Sequence, residues 1–324
     1  MNKLNDLFIN KYSPKIIQEF QFNKELKDMI QLFINIDMLN ILLVGNSCTG
    51  KSSLINVIVN EYYNNDKQII EENTLNINCL KDQGINYYRN DVKTFCQTKS
   101  LLKGKKKIII LDDIDIINEQ SQQVFRNCLD KYQDNIHFLA SCNNIQKVID
   151  SFQSRQTIIK LHPLKHEYIT NIYNNIIQNE SIQIHDNAKD FILKISNYSP
   201  RILINYLEKL KLLNCDITLD IAMETCSNIN YHDFIDFTNN CKNNNIEKAS
   251  CIIYNIFEKG FSVMDILDNY YQFIKICDIL NEEDKYNIIE IICKYITIFH
   301  TIHENEIELA LFTNNLIRLF NKNI

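Results

Sequence analysis

Tryptophan is absent from these 324 residues, proline occurs 3 times and glycine 5 times. So few turn formers exclude collagen-like and Gly/Pro-rich low-complexity architectures, and each surviving glycine and proline becomes worth locating. Arginine is scarce too. It stands only at positions 89, 126, 155, 201 and 318, and the other 29 of the 34 basic residues are lysine. Where a simple positive charge suffices this chain uses lysine, so an arginine marks a need for a planar, fork-shaped cation. No stretch approaches about 18 consecutive apolar residues, which argues against a membrane-spanning helix. The opening MNKLNDLFINKYSPK lacks the apolar core of a signal peptide, so an intracellular chain is expected. The 11 cysteines are scattered without a C-x-x-C pair, and the expectation is small buried apolar side chains rather than disulfides or zinc ligands. The 7 histidines show no metal-ligand spacing.

What is present is the balance of a globular protein: 45% apolar and 23% charged residues, in a chain long enough for two or three domains. The net charge of −6 does not favour nucleic-acid binding. It does not exclude it either, because binding needs a local basic surface rather than a basic total.

Apolar runs at 40–44, 74–78, 105–113, 136–141 and 157–161 read as strands, with helical patterns over 52–63, 86–97 and 118–132 between them. Strands alternating with helices predict a parallel α/β sheet. After Pro163 the pattern is helical only, over 165–179, 186–196, 200–213, 217–226 and from about 230 onward, with Asn/Lys-rich connections near 238–246 and 281–287. The expected layout is an α/β domain over 1–163, a small helical domain over 164–228 and an all-helical bundle over 229–324.

The strongest motif is Gly45-Asn46-Ser47-Cys48-Thr49-Gly50-Lys51-Ser52, followed by Ser53: a G-x-x-x-x-G-K-[ST] phosphate loop between a strand and a helix. Such a loop wraps backbone N–H groups around phosphate oxygens at a helix N-terminus, where the dipole favours anions. The two glycines supply conformations that a side chain would block. Lys51 is placed to reach the β- and γ-phosphates, and the Ser52 hydroxyl to bind Mg²⁺. The second half of the site is Ile108-Ile109-Ile110-Leu111-Asp112-Asp113, a buried strand ending in carboxylates. Asp112 would hold Mg²⁺ through water, and Asp113 would orient and activate the attacking water. Asn143, at the end of the next strand, is either a turn residue or a γ-phosphate sensor. Arg155 and Arg201 read in isolation as surface arginines, as functional ones once their scarcity is weighed. The run Lys103-Gly104-Lys105-Lys106-Lys107 is either a DNA patch or the solvated approach to the carboxylate strand.

These motifs, in this order, resemble the AAA+ ATPases and more narrowly the small subunits of replication factor C, the clamp loader of eukaryotes, archaea and some large DNA viruses. Lys11-Tyr12-Ser13-Pro14 resembles K-Y-R-P, and Gly45 to Ser53 resembles G-P-P-G-T-G-K-T-S. Asn78 to Ile85, with Arg89 and Lys93, resembles N-A-S-D-x-R-G-I…V-R…I-K. Leu111 to Asp115 resembles L-D-E-A-D, with Gln122 and Arg126 placed as in A-Q-x-A-L-R-R. Cys142-Asn143-Asn144 and Gln153-Ser154-Arg155-Gln156 resemble C-N-Y…Q-S-R-C, and Ser199-Pro200-Arg201 stands where the family has G-D-M-R.

The resemblance implies an ATP-binding subunit of a ring-shaped assembly, with a hetero-pentamer as the expected form. It implies that Asn143 is the first γ-phosphate sensor and Arg201 the second, and that Arg155 is an arginine finger completing a neighbour's ATP site. It further implies that Arg89 and Lys93 touch DNA phosphates, that Arg126 couples this contact to the carboxylate strand, and that the C-terminal bundle forms a collar. The implied cofactors are ATP and Mg²⁺. The implied partners are the other clamp-loader subunits, a sliding clamp and primer–template DNA, at a nuclear or cytoplasmic replication site. Cys48 stands in place of a glycine, Asp113 of a glutamate, Gln83 and Ser13 of arginines. The shorter Asp113 leaves open a non-hydrolysing structural subunit. Another AAA+ replication ATPase is the remaining alternative, although such machines usually add a winged-helix domain with short strands.

Overall fold

The computed structural model describes residues 7–79, 87–100, 102, 104–197, 199–299 and 301–322. The chain forms two compact units, Met1–Ile172 with Tyr198–Arg201 and Tyr173–Asn197 with Ile202–Ile324.

The first unit is built on a five-stranded parallel sheet: β1 (Ile41–Val44), β2 (Thr74–Asn78), β3 (Lys107–Asp112), β4 (Ile136–Cys142) and β5 (Thr157–Lys160), in the spatial order β2-β3-β4-β1-β5. β1 and β4 are buried along their whole length, as parallel strands covered on both faces must be. The period of two divides each strand between two cores. Ile41, Leu43, Ile108 and Ile110 face the helices Lys24–Asn35 and Lys51–Tyr62, packing with Ile30, Leu54, Ile55 and Ile58. Leu42, Val44, Ile109 and Leu111 face the opposite side, where Tyr88, Val92, Cys96, Phe125, Cys128 and Phe152 close the second core. The edge strand β2 alternates instead, with Ile77 buried and Asn76 and Asn78 exposed.

All five strands expected from the sequence are present, shifted by no more than two residues at either end. The pairings Val44↔Cys142 and Asn78↔Asp112 bring the carboxyl ends of β1, β4, β2 and β3 to one edge. That edge is where open α/β sheets place their ligands.

The second unit is helical, and its described residues contain one isolated bridge, Ile184↔Ile217, and no strand. Its core is a chain of aromatic contacts: Phe191 to Tyr231 at 5.2 Å between ring centroids, Tyr231 to Phe273 at 5.4 Å, Tyr270 to Phe273 at 5.8 Å, Tyr270 to Phe312 at 5.8 Å. The buried Tyr270 hydroxyl lies 3.0 Å from Thr238 Oγ1, so this polar tip is satisfied.

Two connections expected from composition are helical. Helix Tyr231–Lys242 runs through residues 238–242, because Phe234, Phe237, Thr238 and Cys241 make a buried stripe that outweighs the low helix propensity of asparagine. The turn is confined to the next three residues, with Asn244 in the left-handed region at φ 57°. Residues 282–287 open helix Glu282–Phe299. Asn281 accepts the Asp284 N–H at 2.7 Å, and three acidic residues in the first turn suit the positive end of the helix dipole. Helices Lys24–Asn35 and Lys67–Asn73 were not expected from the sequence pattern. No helix among the described residues is long and apolar enough to cross a membrane.

Candidate nucleotide site

The loop Gly45–Gly50 leaves β1 and enters helix Lys51–Tyr62. Its two glycines are needed for different reasons. A Cβ on Gly45 would come within 2.6 Å of the Leu161 carbonyl oxygen, whereas Gly50 has a φ of +92°. Cys48 also occupies the left-handed region, at φ 63°, so a side chain stands where the backbone favours glycine. Asn46 and Ser47 are exposed at the loop tip, while Thr49 is buried and donates to the Asn46 carbonyl at 2.9 Å.

Lys51 is only 6% exposed. Its ammonium donates to the carbonyls of Gly45 (2.8 Å) and Asn46 (2.9 Å) and to Asn143 Oδ1 (2.8 Å). Burial pushes its pKa down, and the nearby carboxylates of Asp113, Asp112 and Asp115 oppose that shift. Ser52 donates to both Asp112 oxygens, at 3.1 and 3.0 Å, and Ser53 follows it half-buried in the helix.

Ser141 was not foreseen, yet it organises the acidic side of the site. Its hydroxyl donates to Asp112 Oδ1 at 2.5 Å and accepts the Asp113 N–H at 3.0 Å. The sequence signal was its place two residues before Asn143 on β4. Asp113 lies just past β3 at φ 56°, and its Oδ1 accepts a hydrogen bond from Asn143 Nδ2 at 3.2 Å. Burial first, then the charges of Asp112 and Asp115, raise its pKa above the ordinary 3.8. Asp115 Oδ2 in turn accepts the N–H groups of Asn143 (3.2 Å) and Asn144 (2.9 Å). Gly45 to Ser53, Asp112, Asp113 and Asn143 therefore share one site.

The raised pKa sets the sign of a pH effect. Folding is favoured by protonated Asp113, so this contribution is complete below pH 3.8 and lost as pH rises through the higher folded-state value. Asp113→Asn should raise the Tm of the nucleotide-free chain at neutral pH, with a gain that shrinks toward acid pH. Thermal unfolding across that range reads it, and a gain independent of pH would refute the electrostatic cause. Asparagine tolerates the left-handed region, so the substitution adds no backbone strain.

Gln122 joins the turns that carry these groups. Its buried Nε2 donates toward the carbonyls of Ile114 (3.3 Å), Ile117 (3.1 Å) and Lys147 (2.9 Å), while its Oε1 accepts the Ile149 N–H at 2.9 Å. Gln122→Leu strips these backbone groups of a partner and is expected to destabilise the chain by about 2–4 kcal/mol. Denaturant titration measures the loss, and a change below about 0.5 kcal/mol would contradict it.

The remaining candidate residues lie elsewhere. Arg155, after the short helix Asp150–Gln153, bonds Asp130, the Ser151 carbonyl and Ser154 rather than the phosphate loop of its own chain. Arg201 is exposed in the first turn of helix Pro200–Leu213. Arg89 and Lys93 are exposed on the segment Tyr88–Gln97, whose first turn is π-helical, and Tyr88 and Val92 anchor its other face. Of the lysine run, Lys105 stacks on the Tyr62 ring at 4.0 Å, Lys106 donates to the Gln133 carbonyl at 3.2 Å, and Lys107 donates to Thr98 Oγ1 at 2.6 Å. These three tie the approach to β3 back onto the fold. Lys103, Gln83 and the rest of the motif over 80–85 lie outside the described residues. Among the described residues no group of three or more His, Cys, Asp or Glu forms a metal cluster.

The site suits a nucleoside triphosphate with its divalent cation. Gly45 leaves room only for bare backbone, the loop tip is open, and Ser52 and Asp112 present hard oxygen donors side by side. Comparison with known proteins agrees. Residues 41–164 match the model of the ATPase family associated with various cellular activities (AAA), and residues 232–295 match the replication factor C C-terminal domain. The chain is 28% identical over 267 residues to replication factor C small subunit 2 of Pyrobaculum islandicum, covering 82% of each. It is 26% identical over 287 residues to the replication factor C small subunit of Methanococcus maripaludis, covering 88% of this chain and 90% of that one. Among solved structures, the RuvB Holliday junction branch migration motor of Thermotoga maritima matches with a TM-score of 0.52 at 17% identity, over 70% of this chain and 78% of that one, which is a likeness of fold.

Proposed function

From the likeness of this chain to replication factor C small subunits, we infer that it belongs with them and is an ATPase subunit of a clamp loader that opens a sliding clamp and sets it on primer–template DNA. The observation that carries the hydrolytic reading is the convergence of Lys51, Ser52, Asp112, Asp113 and Asn143 at one sheet edge.

In this reading the backbone of Gly45–Gly50 receives the phosphates, and Lys51 exchanges its bonds to the Gly45 and Asn46 carbonyls for phosphate oxygens. Ser52 and Asp112 would hold Mg²⁺, which supplies positive charge to the phosphates when bound. Ser141 fixes the Asp112 carboxylate. Asp113, held by Asn143, accepts a proton from the attacking water. Asn143 senses the γ-phosphate from between Lys51 and Asp113. Arg201 acts as a second sensor, Arg155 reaches a neighbouring subunit's nucleotide, and Arg89 and Lys93 contact DNA phosphates. The helices over 164–228 act as a lid, and those over 229–324 as a collar joining a hetero-pentamer. This work takes place at a nuclear or cytoplasmic replication site.

The test is the assembly that co-purifies with this chain, assayed for ATPase activity with primer–template DNA and clamp. Asp113→Asn should reduce turnover while ATP stays bound. Unchanged turnover would instead make this chain a passive structural member of the ring. The strand-free described residues of the second unit and the match at 232–295 weigh against a winged-helix AAA+ machine.

A further inference from the structure

Two of the chain's five arginines meet on a single carboxylate. Arg155 Nε donates to Asp130 Oδ1 at 2.5 Å, and Arg126 Nη2 lies 3.3 Å from Asp130 Oδ2. A second bond, from Arg155 Nη1 to the Ser151 carbonyl at 2.6 Å, holds the guanidinium at another of its nitrogens. Arg155 Nη2 takes part in none of these bonds. The three side chains are 31%, 33% and 38% exposed for Arg155, Arg126 and Asp130. Exposed pairs of this kind add little to stability. What a two-point grip at Nε and Nη1 does achieve is orientation: it removes rotamer freedom from a long side chain and leaves the Nη2 donors outside these bonds.

We propose that Asp130 is a positioning residue that orients Arg155 for the nucleotide of the neighbouring subunit and links it to Arg126. The proposal rests on the reading of Arg155 as an arginine finger. Asp130 sits in the last turn of helix Glu119–Tyr132, one turn beyond Arg126, so a movement of that helix reaches both arginines through one carboxylate. The two guanidinium groups, Arg155 foremost, hold the Asp130 carboxyl below its ordinary pKa, so the bridge stays charged at neutral pH.

The experiment uses the co-purified assembly and DNA-stimulated ATPase kinetics for wild type, Asp130→Asn, Asp130→Glu, Arg155→Ala and the Asp130→Asn/Arg155→Ala double variant. Asp130→Asn should lower kcat by about 10-fold with KM for ATP unchanged, because misorienting a catalytic group costs rate rather than ground-state binding. Asp130→Glu, which keeps the charge, should recover most of it. In the Arg155→Ala background Asp130→Asn should cost nothing further. If Arg155→Ala lowers turnover while Asp130→Asn does not, or if the two losses multiply, Asp130 has no positioning role and the finger stands. An Arg155→Ala assembly with wild-type turnover would overturn both.

Discussion

Lys51→Ala should weaken ATP binding by roughly 10²–10⁴-fold, measured by titration calorimetry on the purified chain. Charge-assisted hydrogen bonds contribute about 1.5–3 kcal/mol each, and Lys51 is placed to make two with phosphate oxygens, for about 3–6 kcal/mol in total. Its ammonium makes three hydrogen bonds to oxygen acceptors at 2.8 to 2.9 Å. Binding therefore exchanges one set of oxygens for another, and the net gain comes from replacing neutral carbonyls by anionic phosphates. Lys51→Arg should not rescue, because the wider fork does not fit a site shaped around a single buried nitrogen. An affinity within about threefold of wild type would remove Lys51 from the phosphate site.

The second large effect belongs to Arg155. Its replacement by alanine should slow DNA- and clamp-stimulated turnover of the neighbouring site by about 10³-fold, at the lower end of the range for arginine fingers. ATP binding by the mutated chain itself should be unaffected, since no hydrogen bond of Arg155 reaches its own phosphate loop. Arg155→Lys should fall nearly as far, because a point charge cannot bond Asp130, Ser151 and a phosphate at once. Full stimulated turnover in either variant refutes the role.

Much of this site was legible in the sequence because its parts are local. A phosphate loop is eight consecutive residues, and Asp112, Asp113 and Asn143 each stand at or just past the end of a strand that announces itself by an apolar run. What escaped was non-local. Ser141 acts by bonding residues 28 and 29 positions away, and its place two residues before Asn143 was the one local signal. Asp115, recognised only as a motif letter, turned out to hold the backbone of Asn143 and Asn144. In the second unit, composition misled at 238–242, where asparagines lie on the outer face of a helix fixed by Phe234, Phe237 and Cys241. Composition reports what a segment could do alone, whereas burial of one face decides what it does in the fold.

The grip of Gln122 on the turns after β3 and β4 has a consequence for how the site can fail. With one amide clasping both, Asp113 and Asn143 are carried by a common block. Heat or denaturant should extinguish them in a single step, and amide hydrogens of the two turns should exchange with solvent at matching rates.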